Sequence, residues 1–371
     1  MATIRIGAPT MHVFMTPDYR VDNPYQTLLT QALEAEGADV QFPVGYRRVF
    51  PIFRAIKSSA APIDVLHLHW LNPYLKGSNW LVRWIYTLKF LVDVLITKLS
   101  GVRVVWTVHN ARSHEALFPA LELWAQQTLA KLSDRLIVHH NAAMDEIVPM
   151  YRFSPAKVSV IPHGHYRNNY GPAVDPQFAR EMLGLPTTGR IYLNLGMLRP
   201  YKGVENLLNL WQTHADLMAG HTLLIAGKPL DEAYKQHLVE QASQIRGVLI
   251  HPVFVEDSQI PLYFSAADVV VLPFERILTS GSLLLAMSYG KPIIAPRTGG
   301  IAETLGKADE LLYEPTDEQG LLYAFKQSMQ TDLNELSELV NKECDRLDWA
   351  AIAHKTHQLY RDVLTSGGTS S

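Results

Sequence analysis

One cysteine, Cys344, stands in a chain of 371 residues. That scarcity excludes an internal disulfide framework and a multi-cysteine zinc site, and it fits a reducing compartment, expected to be the cytoplasm. Long basic runs are missing and the formal charge is −3, so nucleic acid is not an expected partner. Low-complexity tracts are absent as well. With 47% hydrophobic and 19% charged residues the chain can build sizeable cores and does not read as disordered. The opening MATIRIGAPTMHVF has no basic segment followed by an apolar core, so no secretion signal is expected. Three motifs are also lacking: G-x-G-x-x-G after the first strand, G-x-x-x-x-G-K-[ST], and a D-x-D cluster. Their absence argues against a classical dinucleotide site, a P-loop and a bound divalent metal.

One stretch, WLVRWIYTLKFLVDVLITKL (80–99), is apolar enough to suggest a membrane, but it carries Arg83, Lys89, Asp93 and Lys98, which are costly at a bilayer centre. On a helix these charges cover roughly half the circumference and leave a broad apolar face. That face either packs on a sheet or touches a membrane surface, on the inner side of the membrane.

What is present is a regular alternation of apolar strand-like runs with helical patterns, the mark of parallel sheets covered by helices. The first half offers IRIGA, DVQFP, VLHLHW, VRVVWTVHN, RLIVHH and VSVIPHG. The second offers IYLNLG, TLLIAG, VLIHPV, DVVVLPF, PIIAP and ELLYEP. The polar, turn-rich segment 166–177 reads as a linker. The expected division is a first α/β domain over 1–168, a second over 169–345, and a C-terminal helix over 346–371 that returns to the first. Two such doubly wound domains facing each other form a cleft at the carboxyl ends of their sheets, where α/β proteins bind ligands.

Three features point to an anion there. LNLGMLRPYKGVENLL places Arg199 and Lys202 between a strand end and a helix start, where they suit phosphate oxygens unless they are solvated surface charges. In FERILTSGSLLLAMSYGKPIIAP, Thr279, Ser280 and Ser282 supply hydroxyls. Gly281 admits close backbone approach and the following helix presents its positive end, unless the serine there serves only its own helix. RTGGIAETL follows a strand with paired glycines and then Glu303, a carboxylate for ribose hydroxyls or an ordinary helix-start acid.

Together these motifs resemble the GT-B nucleotide-sugar glycosyltransferases of glycosyltransferase family 4, or group 1. GMLRPYKGVENLL is similar to the group's G-R-x-x-x-x-K-G phosphate stretch. AADVVVLPF with LLLAMSYGKPIIAPRTGGIAE is similar to its P-S-x-x-E-x-F-G-x-x-x-x-E-A-M-A-x-G-x-P-V pattern. The resemblance implies that Arg199 and Lys202 hold a donor diphosphate, that Thr279, Ser280, Gly281 and Ser282 cap it, that Glu303 lies near the ribose or sugar, and that His109 sits beside the transferred sugar. HPVFVED, with Phe254, is expected to meet the nucleotide base. Met197 stands where many members carry the first arginine. The paired glutamates of the retaining members fall on Ile277 and Leu285, and Glu275 is two residues out of register.

The expected activity is therefore metal-independent transfer from a nucleotide-diphosphate sugar to a saccharide or lipid-linked acceptor, leaning to inversion. The alternatives are a retaining transferase and a non-catalytic nucleotide-sugar-binding subunit. An inverting reaction needs a base from the acceptor side. Asp22 is the first choice, ahead of a proline-started helix, although a plain turn role is its rival. His12, Asp18 and Asp22 lie in what reads as the loop after the first strand. His109, His114 and Glu115 lie beyond a later one, and His163 lines the cleft or forms the hinge. No cofactor or metal is expected.

Overall fold

The computed structural model describes residues 10–21, 23–45, 49–111, 117–275 and 277–366. The expected first strand, IRIGA, lies outside them. The first strand described is β1 (Met11–Thr16), followed by β2 (Ala38–Gln41), β3 (Val65–Leu68), β4 (Arg103–Thr107), β5 (Arg135–Val138) and β6 (Val158–Val160). They pair in parallel in the order β2-β1-β3-β4-β5-β6. A second parallel sheet comprises β7 (Ile191–Leu195), β8 (Thr222–Ala226), β9 (Val248–His251), β10 (Val269–Val271), β11 (Ile293–Pro296) and β12 (Leu312–Tyr313), in the order β12-β11-β10-β7-β8-β9. Most central strands are buried along their length, as in β3 (VLHL) and β10 (VVV), because helices cover both faces of such sheets.

The chain divides into two compact units, residues 1–164 with 348–371, and residues 165–347. The helix Trp349–Thr365 belongs to the first unit. Asp348 starts it by accepting hydrogen bonds from the Ala350 and Ala351 N–H groups at 2.9 and 3.2 Å. Its Trp349, Ile352, Ala353, Leu359, Tyr360 and Val363 enter one core with Val13, Tyr25, Leu29 and Val65. Gly164 abuts the Trp349 indole so closely that no side chain fits between them. The helix Pro24–Ala35, against which this last helix packs, is started by Asn23, whose side chain accepts from the Tyr25 N–H at 3.0 Å.

The stretch 80–99 is one helix, and three of its charges, Arg83, Asp93 and Lys98, meet partners on other elements. Asp93 is buried and accepts from the Ile52 and Phe53 N–H groups, both at 2.9 Å, which caps the helix Pro51–Lys57. Arg83 bonds Glu122, and Lys98 bonds Asp134 at 2.8 Å. Phe90, Leu91 and Val94 pack inside, while Trp80, Leu81, Ile85, Leu88, Leu95 and Leu99 stand exposed. Among the described residues no helix is long and apolar enough to cross a membrane.

Candidate active site

In the second unit the chain leaves β7 through Gly196, whose φ of 145° lies in the region that favours glycine. A Cβ on Gly196 would lie 3.1 Å from Ser282 Oγ and 3.3 Å from Lys202 Nζ, so the ammonium and the hydroxyl converge at the carboxyl end of β7. Lys202 closes a single turn, Pro200–Lys202. Gly203, at φ 71°, lets the chain pass directly into the helix Val204–Thr213, and a side chain there would overlap the Pro273 carbonyl. Burial, and behind it the Arg199 guanidinium, pushes the Lys202 ammonium down to about 8.

Arg199 turns back on its own backbone, donating from Nη1 to the Leu198 carbonyl at 2.9 Å and to the Lys228 carbonyl at 3.4 Å. It braces the loop that carries Lys202 onto the segment after β8. The turn expected to cap a phosphate opens the helix Gly281–Ser288. Ser280 Oγ accepts from the Leu283 N–H at 3.1 Å, so this hydroxyl serves its own helix. Thr279 Oγ1 is buried without a hydrogen-bond partner among the described residues. Leu283 to Met287 are all buried, Leu285 among them, so a carboxylate at Leu285 would be largely desolvated. Ile277 is half-buried, and its carbonyl backs onto Gly299.

Phe254, Glu275 and Glu303 lie on exposed surface. Glu275 accepts from Asn206 Nδ2 at 3.4 Å and lines an open cavity of about 520 Å³ beside the helix Val204–Thr213, together with His214, Phe274, Tyr313 and Asp317.

The first unit carries a different chemistry at the carboxyl end of its sheet. His69 follows β3, His109 lies beyond β4, His139 follows β5 and His163 lies beyond β6, and all four are buried. Tyr25 packs against all four rings, at centroid distances of 4.6 to 5.8 Å. His109 Nε2 lies 3.1 Å from His69 Nδ1, and its Nδ1 lies 3.3 Å from His139 Nε2. Both nitrogens of His109 are thus taken up by neighbouring histidines. His139 Nδ1 donates to the Ile161 carbonyl at 3.0 Å, and His163 Nδ1 donates to the Gly164 carbonyl at 2.8 Å. A fifth histidine, His67, is held between Thr107 Oγ1 at 2.7 Å and the Tyr360 hydroxyl at 2.6 Å. Burial, with the neighbouring imidazoles, keeps all five neutral: it brings His67 and His163 to about 3 and His139 to about 4, and holds His69 and His109 well below the usual range.

The sequence singled out His109 and His163 and passed over His69 and His139. The signal was there, since HLHW, WTVHN, RLIVHH and VSVIPHG each bring a strand to an end at histidine. His12 lies inside β1 rather than in a loop, with Nδ1 2.9 Å from Asp39 Oδ2. Both Asp18 carboxylate oxygens accept from Arg20, at 2.9 and 2.8 Å, and these bonds hold the carboxyl below its usual range. Asp22, His114 and Glu115 lie outside the described residues.

Two family models divide the chain much as the two sheets do. Residues 10–165 match Glycosyltransferase Family 4, and residues 189–331 match Glycosyl transferases group 1. A GDP-mannose:glycolipid 4-beta-D-mannosyltransferase of Xanthomonas campestris pv. campestris is 28% identical over 352 residues, covering 94% of this chain and 91% of that protein. Among solved structures, sucrose-phosphate synthase from Thermosynechococcus elongatus superposes with a TM-score of 0.71 at 18% identity, covering 96% of this chain and all of that one. Anabaena HepE in complex with UDP and glucose gives 0.71 at 16% identity over 95% of this chain and all of that one. At such identities these two structures speak for the fold. The chain is a divergent group 1/family 4-like glycosyltransferase of GT-B fold, an enzyme that uses nucleotide sugars.

Proposed function

We propose that the chain transfers a mannosyl group from GDP-mannose to a saccharide carried on a lipid, without a metal ion and with inversion at the anomeric carbon. The observation that carries the donor half is the meeting of Lys202 Nζ and Ser282 Oγ at Gly196. A partly desolvated ammonium beside a glycine that allows close approach is a place for diphosphate oxygens. As the bond to the anomeric carbon breaks, negative charge grows on the departing diphosphate. Lys202, the hydroxyls of Thr279 and Ser282, and the N–H groups opening the helix Gly281–Ser288 supply fixed positive potential where it grows. Arg199 supports Lys202 by holding its loop, and Glu303 and Phe254 complete the nucleoside side of the reading.

The choice of donor and acceptor follows the 28% identical relative, whose name gives GDP-mannose, a glycolipid and a beta product. A beta product from an alpha-linked nucleotide donor requires inversion. The replacement of the retaining members' glutamates by Ile277 and Leu285 agrees with this. A lipid-linked acceptor also gives the outward stripe Leu81, Ile85, Leu88, Leu95 and Leu99 a use, as a face that rests on the membrane surface.

The test is incubation of the purified protein with GDP-mannose, UDP-glucose or ADP-glucose and a membrane glycolipid extract, with and without EDTA. Beta-mannosyl product from GDP-mannose, read from its anomeric proton and unaffected by EDTA, is the expected result. An alpha product would overturn inversion, loss of activity in EDTA would overturn metal independence, and preference for another donor would overturn the mannosyl assignment.

A further inference from the structure

The row of histidines in the first unit has a direction. The Ile161 carbonyl can only accept, so His139 carries its proton on Nδ1, and in the neutral ring Nε2 is a lone pair. That lone pair must be met by the proton on His109 Nδ1, which leaves His109 Nε2 as an acceptor for the proton on His69 Nδ1. The series ends at His69 Nε2, a lone pair with no hydrogen-bond partner among the described residues, on a residue 1% exposed. Three neutral rings are therefore aligned, every proton pointing from His69 toward Ile161.

A buried acceptor left unmatched is costly, and here it sits at the carboxyl end of β3, the end of a parallel sheet at which α/β proteins bind ligands. We propose that His69 Nε2 is the atom that takes the proton from the acceptor hydroxyl, and that His109 and His139 are positioning residues that carry that proton inward.

The balance closes without any other reagent. The acceptor O–H bond breaks as its oxygen forms the new bond to the anomeric carbon, and the anomeric carbon–oxygen pair leaves with the nucleoside diphosphate. The proton arrives on His69 Nε2, the proton of His69 Nδ1 moves to His109 Nε2, and the proton of His109 Nδ1 moves to His139 Nε2. One imidazolium results, on His139, where Nδ1 already donates to the Ile161 carbonyl.

His139 is the right terminus, because that carbonyl supports its charged form and it is less depressed than its neighbours, at about 4, within the range of an ordinary carboxylate base. Among the described residues, the titratable groups around the row are His67 on β3, Tyr25 on the helix Pro24–Ala35, His163 beyond β6, Tyr360 on the helix Trp349–Thr365, and His140 next to His139, whose Nδ1 accepts from the Ala143 N–H at 3.0 Å; no carboxylate is among them. Trp70, half-buried, stacks on His109 at 4.1 Å and lies 5.7 Å from the His69 ring, an aromatic face beside the row. This assignment rests on the transferase reading and gives His69 the role first expected of Asp22.

Two measurements on the full chain test it. Nitrogen-15 spectra of histidine-labelled protein, assigned by the signals lost in His69→Gln and His139→Gln, should show all three rings as the Nδ1–H tautomer, the minor form in water. A proton on His69 Nε2 overturns the relay whether or not the chain is active. In the transfer reaction, the rate in mixtures of light and heavy water should curve with deuterium fraction, reporting several protons in flight, and curve less in His139→Gln, where the last of the three transfers is lost. His69→Gln should lower kcat by roughly 10²–10⁴-fold with the donor KM unchanged. A linear wild-type dependence, or a folded His69→Gln variant within threefold of wild-type kcat, overturns the proposal. If neither variant folds, the wild-type isotope dependence decides alone. Wild-type transfer with a linear dependence leaves the transferase reading standing, whereas absence of any transfer removes both.

Discussion

Acid should unfold the first unit early. His67, His139 and His163 are buried neutral, at about 3, 4 and 3, against about 6.5 for an unfolded histidine. Below 6.5 the unfolded chain binds protons that the folded one refuses, so stability falls as pH falls and continues to fall until the folded values are reached. Between pH 7 and pH 5 each such ring costs about 2 kcal/mol, and the three together about 6 kcal/mol, comparable to the roughly 5–15 kcal/mol that holds a domain. His69 and His109 lie in the same direction and add to it. The depressed carboxyls Asp18 and Asp39 titrate below this window and do not compete within it.

Tryptophan fluorescence in urea is the assay. Of the seven tryptophans only Trp211 lies in residues 165–347, so the signal reports the first unit. The expected result is a midpoint that drops sharply from pH 7 to pH 5. His163→Asn should make that drop smaller by about 2 kcal/mol, the share of one ring. Equal stability at the two pH values, within 1 kcal/mol, would show that these rings are not held neutral and would refute the reasoning.

Other outcomes follow from the second unit. Lys202→Ala should cut turnover by about 10²–10³-fold with no change in melting temperature, because on the proposed reading the ammonium meets the departing diphosphate; steady-state kinetics beside calorimetry checks it. Since the Lys202 ammonium sits at about 8, donor kcat/KM should decline as pH rises through that value, and this limb should vanish in the alanine variant. Thr279→Val should leave stability unchanged or higher, since the hydroxyl has no partner among the described residues, while weakening donor binding by calorimetric titration. Gly196→Ala would put a methyl group within 3.3 Å of Lys202 Nζ and 3.1 Å of Ser282 Oγ at a φ of 145°, so it should abolish donor binding before it unfolds the chain.

Most of the architecture was legible because parallel strands covered on both faces must be continuously apolar, and runs such as TLLIA and DVVVL can hardly be read otherwise. β1 was misjudged for a physical reason. MHVFMT mixes histidine with methionine, and the loop reading had no way to know that His12 would pair with Asp39 on the neighbouring strand. The helix 80–99 was legible in type, but a charge pattern does not disclose that Asp93 caps another helix from within. In the second unit, the sequence placed Lys202 after a strand and Ser282 at a helix start, and the structure brings the two together at Gly196. The inward turn of Arg199 depends on the Leu198 and Lys228 carbonyls, which sequence does not place. The histidine row was the least legible part: each histidine alone reads as a satisfied core residue, and only strand order puts β3, β4, β5 and β6 side by side.

The abutment of Gly164 and Trp349 has a consequence for how this chain is made. The second unit, residues 165–347, is spliced into the first, so a ribosome releases it entire before the helix Trp349–Thr365 exists. Until that helix arrives, His67 lacks the Tyr360 hydroxyl, Gly164 lacks its indole, and Val13, Leu29 and Val65 lack part of their cover. The part of the chain translated first is thus among the last to be finished. A nascent chain halted before Asp348 should present a folded second unit and a first unit that chaperones still recognise.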